Sequence, residues 1–352
     1  MIKFAARAAR TADPQPRGYD AGPLSPTARA TRRLLMTHGR LMILALLAIA
    51  LGACAKVKNP PAPVAGDTAD AADAAAPAST AAPHVEGAPE IATEPDGMHI
   101  EYHTYGHGDP AIVLVHGWAT DANYWNSQLP PLKAKYTVVA VDLAGHGASG
   151  KNRADWSMGS YGEDVATVVR QIPNRQVILV GHSMGGTVVL EATRRIGDRV
   201  IGIIVVDALK SIGLPPMPQR EIDIRVAPFR TDFVGQTRKY VTESLFEKGA
   251  DPLFVQKVAY DMSLEPPEVG VASLQALLGL DLAAVLPDIH VPVLAINSDL
   301  APTDDTRIRK YLPDFKADVL AHTGHFLMME VPQRFNPILL RDIDTLVRRA
   351  RH

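Results

Sequence analysis

The chain has 352 residues, enough for one large domain or two small ones. Hydrophobic residues make up 47% and charged residues 21%, a balance that suits a packed globular core. A formal net charge of −2 without a basic block argues against a nucleic-acid partner, and the single cysteine, Cys54, excludes an internal disulfide.

Residues 1–53 read as an N-terminal extension ending in a signal segment. The apolar run "LMILALLAIAL" at 41–51 follows Arg32, Arg33 and Arg40 and precedes "GAC". Positive charge, a short apolar stretch and then small residues form a secretory signal pattern. The run is short for a membrane span, which needs about 20 residues. Its "LGAC" ending resembles a bacterial lipobox. That resemblance implies cleavage before Cys54, lipid on its thiol, and a membrane-anchored protein of the bacterial cell envelope, facing the periplasm or exterior. An uncleaved anchor and an ordinary signal peptide with a chance cysteine are the alternatives. The stretch ahead of the apolar run is long for such a signal, so Met36 competes with Met1 as the true start. Residues 54–89 are rich in Ala and Pro and poor in large apolar side chains. They cannot bury enough surface to offset ordering entropy, and read as a disordered tether.

From residue 90 to 352 strand and helix patterns alternate. "MHIEYHTYG" alternates in polarity and should open the sheet at one edge. "AIVLVHG" (111–117), "TVVAVDL" (137–143), "QVILVGH" (176–182), "VIGIIVVDA" (200–208), "VPVLAINSD" (291–299) and "ADVLAHTG" (317–324) are continuous apolar runs that suit strands covered on both faces. Helical patterns lie between them at 158–172 and 184–196, and again at 331–352. The expected class is α/β: a mostly parallel, doubly wound sheet of about eight strands. Residues 209–287 carry helical periodicity and prolines but no convincing strand. A helical lid inserted after strand 6 accounts for this length better than an ordinary crossover.

"VILVGHSMGG" sets Gly-His-Ser-Met-Gly between a strand and a helix, the pattern of a nucleophile elbow. Ser183 must occupy a sharp turn there. Gly181 and Gly185 give that turn room, and the helix beginning at Met184 directs its positive end at the site.

With this motif, residues 95–350 resemble the α/β-hydrolase superfamily, near its lid-bearing serine esterase-like branch. "VLVHGWATDANYW" is similar to the oxyanion loop after the third strand, "VVAVDLAGHGASG" to the D-x-x-G-x-G-x-S loop, and "HTGHFLMMEVPQRFN" to the segment supplying the catalytic histidine. The resemblance implies Ser183 as nucleophile, His325 as base, and backbone N–H groups of Trp118 and Met184 as the oxyanion hole. It implies a loop-stabilising role for Asp142. His182, next to the nucleophile, is expected to point away from the site, and His116 to be structural. His103, His107 and His322 match no role.

The acid is displaced. The family pattern after strand 7 puts an Asp where this chain has Ala301, and a Gly where it has Ser298. Asp207, ending "IIVVDA", and Asp299 are the candidates, with Asp304, Asp305 or no acid at all behind them. The resemblance implies a serine hydrolase working through an acyl-enzyme, on carboxylic esters of small or medium acyl groups. C–C bond, lactone or aminoacyl hydrolysis on the same triad are alternatives, as is a non-catalytic ligand-binding lipoprotein. No metal site, dinucleotide fingerprint or P-loop is present in the sequence, so no cofactor is expected. Met217, Phe229, Phe233, Tyr240, Leu245 and Phe246 are candidates to line the lid, most of them as packing.

Overall fold

A computed structural model describes residues 86–351. The signal segment, Cys54 and the tether up to residue 85 lie outside the described residues.

Eight strands form one sheet: β1 (Pro89–Thr93), β2 (His99–Tyr105), β3 (Ala111–Val115), β4 (Thr137–Val141), β5 (Val177–His182), β6 (Val200–Val206), β7 (Val293–Ser298) and β8 (Lys316–Leu320). Their order is β1-β2-β4-β3-β5-β6-β7-β8. The β1–β2 and β2–β4 pairs are antiparallel, and every other pair is parallel. β3, β5 and β7 are buried along their whole length, as strands covered on both faces must be. β1 was not foreseen in the sequence. "PEIAT" buries only Ala92, so it carries no alternation, and it begins at the last residue of the stretch read as tether.

Helices cover both faces. α1 (Met158–Gln171) starts on a Ser157 cap, whose hydroxyl accepts from Ser160 N–H, and packs against α2 (Met184–Ile196). Between β6 and β7 stand α3 (Gln219–Thr231), α4 (Phe233–Ser244), α5 (Pro252–Met262) and α6 (Pro267–Leu278). The last helix, α7 (Pro332–Arg349), buries Phe335, Leu339, Ile343 and Leu346, which the 3.6-residue period places on one face. Phe335 is fully buried, and truncating it to Ala is expected to cost about 3–5 kcal/mol.

β3 lies between β4 and β5, so the chain leaves β3 in one direction and the strands from β5 onward extend in the other. Such a switch point opens a crevice at the carboxyl ends of the strands. The loops after β3, β5 and β6 all meet there.

Candidate active site

Ser183 joins β5 to α2 with φ 53° and ψ −116°, a conformation that side-chain-bearing residues rarely adopt. Two glycines make this turn feasible. A Cβ on Gly181 would lie 2.2 Å from Gly185 O, and one on Gly185 would lie 2.4 Å from His116 O. The Ser183 N–H donates to Val206 O at 2.9 Å, which ties the turn to the end of β6. Asp207 N–H in turn donates to Ile296 O at 3.0 Å. The parallel ladder thus runs one residue beyond the strands and fixes Ser183 and Asp207 at adjacent strand ends.

Asp207 is 8% exposed, and its two oxygens have separate partners. Oδ2 meets His325 Nδ1 at 2.6 Å. Oδ1 accepts from Ser298 N–H and Ser298 Oγ–H, each at 2.7 Å, and pairs with Lys210 Nζ at 2.7 Å. Burial alone would raise the carboxyl's pKa. The hydrogen bond and charge of His325, reinforced by the Lys210 ammonium, outweigh it and hold Asp207 well below the ordinary carboxylate range.

The other candidate acids do different work. Asp299 is exposed and accepts from His322 N–H at 3.0 Å and from Thr323 N–H at 3.4 Å. Those backbone bonds, the His322 one foremost, lower its pKa. It shapes the turn leading to His325 without meeting the imidazole. Asp304 caps the short helix Asp305–Ile308, and Asp305 pairs with Arg309 at 3.0 Å. Ala301 is exposed.

His325 is held through its backbone as well. Its N–H donates to Leu245 O at 2.8 Å, and its carbonyl accepts from His182 Nε2 at 2.9 Å. Glu330 accepts from the N–H groups of Gly324 at 2.9 Å and Phe326 at 3.1 Å, on either side of it.

The expectation that His182 points away from the site is corrected here. Its ring packs against His325 with centroids 4.7 Å apart, and borders the same cavity as Ser183. The strained turn at Ser183 breaks the strict alternation of strand side chains and leaves both on the site's side. Burial, with His325 alongside, pushes the His182 pKa down to about 3, so its ring is a neutral donor through Nε2.

The loop after β3 is locked from below. Leu143 N–H donates to His116 Nε2 at 3.0 Å, so the proton sits on Nδ1, which donates to Gly117 O at 2.8 Å. Burial lowers the His116 pKa to about 4, in keeping with that neutral tautomer. Thr120 Oγ1 also donates to Gly117 O, at 3.0 Å. In a trans peptide the Trp118 N–H is then directed away from these two donors. Gly117 is close to Ser183: a Cβ on it would lie 3.2 Å from Ser183 Cβ. Asp142 accepts from Ala122 N–H at 2.8 Å and Ala148 N–H at 2.9 Å, joining two loops behind the site.

The Trp118 indole donates to Gly270 O in α6 at 2.8 Å, and Phe229, Phe233 and Tyr240 surround its ring edge to face. Ser183, His325, Trp118, Tyr240, Leu245 and Leu277 border a cavity of about 50 Å³. Of the residues proposed to line the inserted helices, Tyr240 and Leu245 reach this cavity. Phe229 and Phe233 act through Trp118, Phe246 packs on Phe254 and Phe326, and Met217 lines a different space. Among the described residues, five other than glycine have positive φ: Ala119, Ser183, Asp207, Leu209 and His322. All lie in the loops of this site, where backbone strain of about 1–3 kcal/mol per residue typically collects. Among the described residues, no group of three or more His, Cys, Asp or Glu is placed to hold a metal ion.

Sequence reasoning missed Ser298, Lys210 and Glu330 as supports of the Asp207–His325 pair. Ser298 in place of the family glycine was the available signal.

Comparison with known proteins agrees with this architecture. Over 99 residues the chain is 36% identical to an uncharacterized protein of Mycobacterium tuberculosis, a match covering 28% of this chain and 29% of that relative. It therefore spans less than a third of that protein's length. It is 30% identical over 207 residues to a pimeloyl-acyl-carrier-protein methyl ester esterase of Methylococcus capsulatus, covering 57% of this chain and 78% of the relative. A thermophilic esterase from Thermogutta terrifontis has the same fold, with a TM-score of 0.65 at 22% identity over 74% of this chain and 99% of the other. The sequence profile of the alpha/beta hydrolase family matches residues 112–338, and the chain belongs to that family.

Proposed function

We propose that the protein is a serine hydrolase that cleaves carboxylic esters of small or medium acyl groups through an acyl-enzyme. One observation carries the reading. The Asp207–His325 hydrogen bond of 2.6 Å stands at the edge of the cavity that also holds Ser183. With Nδ1 engaged by Asp207, His325 has Nε2 free to take the Ser183 proton. Ser183 Oγ then attacks the ester carbonyl. The N–H groups of Met184 and Trp118 receive the developing oxyanion, an effect worth about 3–4 kcal/mol per donor. The imidazolium returns its proton to the leaving alkoxide, and water repeats the sequence to release the acid.

Asp207 supplies the carboxylate that Ala301 lacks, which removes the main reason for reading the chain as a non-catalytic binding protein. The helices α3–α6 serve as the lid: α6 accepts the Trp118 hydrogen bond, and Leu245, just beyond α4, accepts that of His325. The likeness to a methyl ester esterase supports an ester substrate. The lipobox-like sequence supports a lipid anchor at Cys54 and a place in the bacterial cell envelope.

Hydrolysis of p-nitrophenyl acetate and butyrate tests the activity. Ser183→Ala should lower turnover by about 10⁴-fold or more, and intact-protein mass should reveal an acylated species with the wild type only. Turnover that survives in Ser183→Ala contradicts the reading.

A further inference from the structure

A second cavity, of about 320 Å³, shares a wall residue with the one that holds Ser183. Leu277, in the last turn of α6, borders both. The larger space is walled by Thr187 on α2, one turn beyond the nucleophile, by Leu214 and Met217 in the stretch after β6, and by Leu280 and Leu282 after α6. Its polar groups are already engaged or peripheral. The Thr187 hydroxyl donates to Met184 O at 2.7 Å, which leaves its methyl group for the cavity. The Asp281 carboxylate accepts from Ala283 N–H at 3.0 Å, and Ser211 is exposed at the rim. No cation lines the cavity, so it offers nothing to an anionic ligand. It offers a mostly apolar surface, and Leu214 on its wall is otherwise an unexplained 52% exposed leucine.

The two volumes decide what fits. About 50 Å³ beside Ser183 accommodates the reacting carbonyl and little more, whereas about 320 Å³ falls in the range of roughly 300–1,000 Å³ typical of small-molecule sites. We infer that the acyl chain of the substrate runs from Ser183 past Leu277 into this cavity, so that the protein takes unbranched acyl chains of medium length and Leu277 is the gate. Leu277 is only half-buried, at the end of its helix, so its side chain can move aside without opening the core. This inference rests on the serine-hydrolase reading.

The test uses the full chain and p-nitrophenyl esters from acetate to decanoate, which vary the acyl chain at constant leaving group. Each methylene seated in the cavity is expected to raise kcat/KM by roughly fourfold until the cavity is full. Met217→Trp and Leu280→Trp, which fill the cavity from two different segments, should each lower the octanoate-to-acetate ratio of kcat/KM by tenfold or more. Leu277→Ala should raise that ratio. A flat or falling chain-length profile that neither Trp variant alters would overturn the inference, while Ser183-dependent acetate turnover would leave the hydrolase reading standing. A preference that instead follows the alcohol chain, measured with alkyl acetates, would overturn the assignment of the cavity to the acyl group. Loss of all ester turnover in the folded wild type, without fluorophosphonate labelling of Ser183, would remove both readings together.

Discussion

Lys210 and His325 share one carboxylate. The Lys210 ammonium lies 2.7 Å from Asp207 Oδ1, and His325 Nδ1 lies 2.6 Å from Asp207 Oδ2. A cation on the far oxygen draws charge away from the near one. In the proposed mechanism an imidazolium at His325 is therefore stabilised less than it would be by an isolated aspartate. Replacing Lys210 with Met leaves the whole charge of Asp207 to His325 while Ser298 still holds Oδ1, so kcat/KM for p-nitrophenyl acetate should be kept or raised. A fall of more than about tenfold in a folded Lys210→Met protein would mean that Lys210 is needed to position Asp207.

The two strongest acid candidates separate by substitution. Asp207→Asn removes the partner of His325 and should lower kcat/KM by roughly 10³–10⁴-fold. Asp299→Asn alters only the turn at 322–323 and should cost less than about tenfold. Asp207→Asn also leaves Lys210 without its counterion, so the double variant with Lys210→Met is the companion measurement. Both Asp207 variants should be folded by circular dichroism and equally inactive. Comparable losses at Asp207 and Asp299 would contradict the assignment.

A buried pair between the inserted helices and the sheet gives a prediction for stability. Glu265, between α5 and α6, approaches His146 Nε2 at 3.6 Å, and neither atom of that contact has a hydrogen-bond partner among the described residues. Burial raises the Glu265 pKa from 4.5 to about 8, against the pull of Lys151, and burial also lowers that of His146 to about 3. Both groups are thus neutral in the folded protein near pH 7. The folded state keeps a proton on Glu265 that the unfolded chain loses above 4.5. Through Glu265 the native state therefore holds one proton more in this window, and that group's contribution to stability falls as pH rises from 4.5 to about 8, while His146, neutral in the fold and protonated in the unfolded chain below 6.5, opposes it in the lower part of the window. Glu265→Gln lacks that loss. It should match the wild type near pH 4.5 and exceed it by about 1–3 kcal/mol at pH 7.5 in urea unfolding. Parallel curves at both pH values would contradict a neutral Glu265.

Much of this site was legible before any coordinates, for a steric reason. A serine in a strained turn needs glycine on both sides, at positions where a Cβ would strike backbone atoms, so Gly181 and Gly185 announce Ser183. The parallel strands were equally plain, since β3, β5 and β7 each open on an apolar run. The carboxylate that meets His325 was not legible to the same degree. Its identity depends on the register of β6 against β7, which brings Ser298 N–H and Oγ–H onto Asp207. No local pattern encodes a contact across 91 residues. β1 escaped because an exposed edge strand of five residues with one buried side chain has no hydrophobic signature. His182 was misjudged because strand alternation was extended through a turn that does not obey it.

The most direct measurement of the central claim is labelling of the full chain with a fluorophosphonate, with the adduct located by peptide mass. An adduct on Ser183 that is lost in His325→Ala and strongly slowed in Asp207→Asn would establish a nucleophile activated through the Asp207–His325 pair. A folded protein that shows no adduct on Ser183, or one that labels equally well without His325, would contradict it.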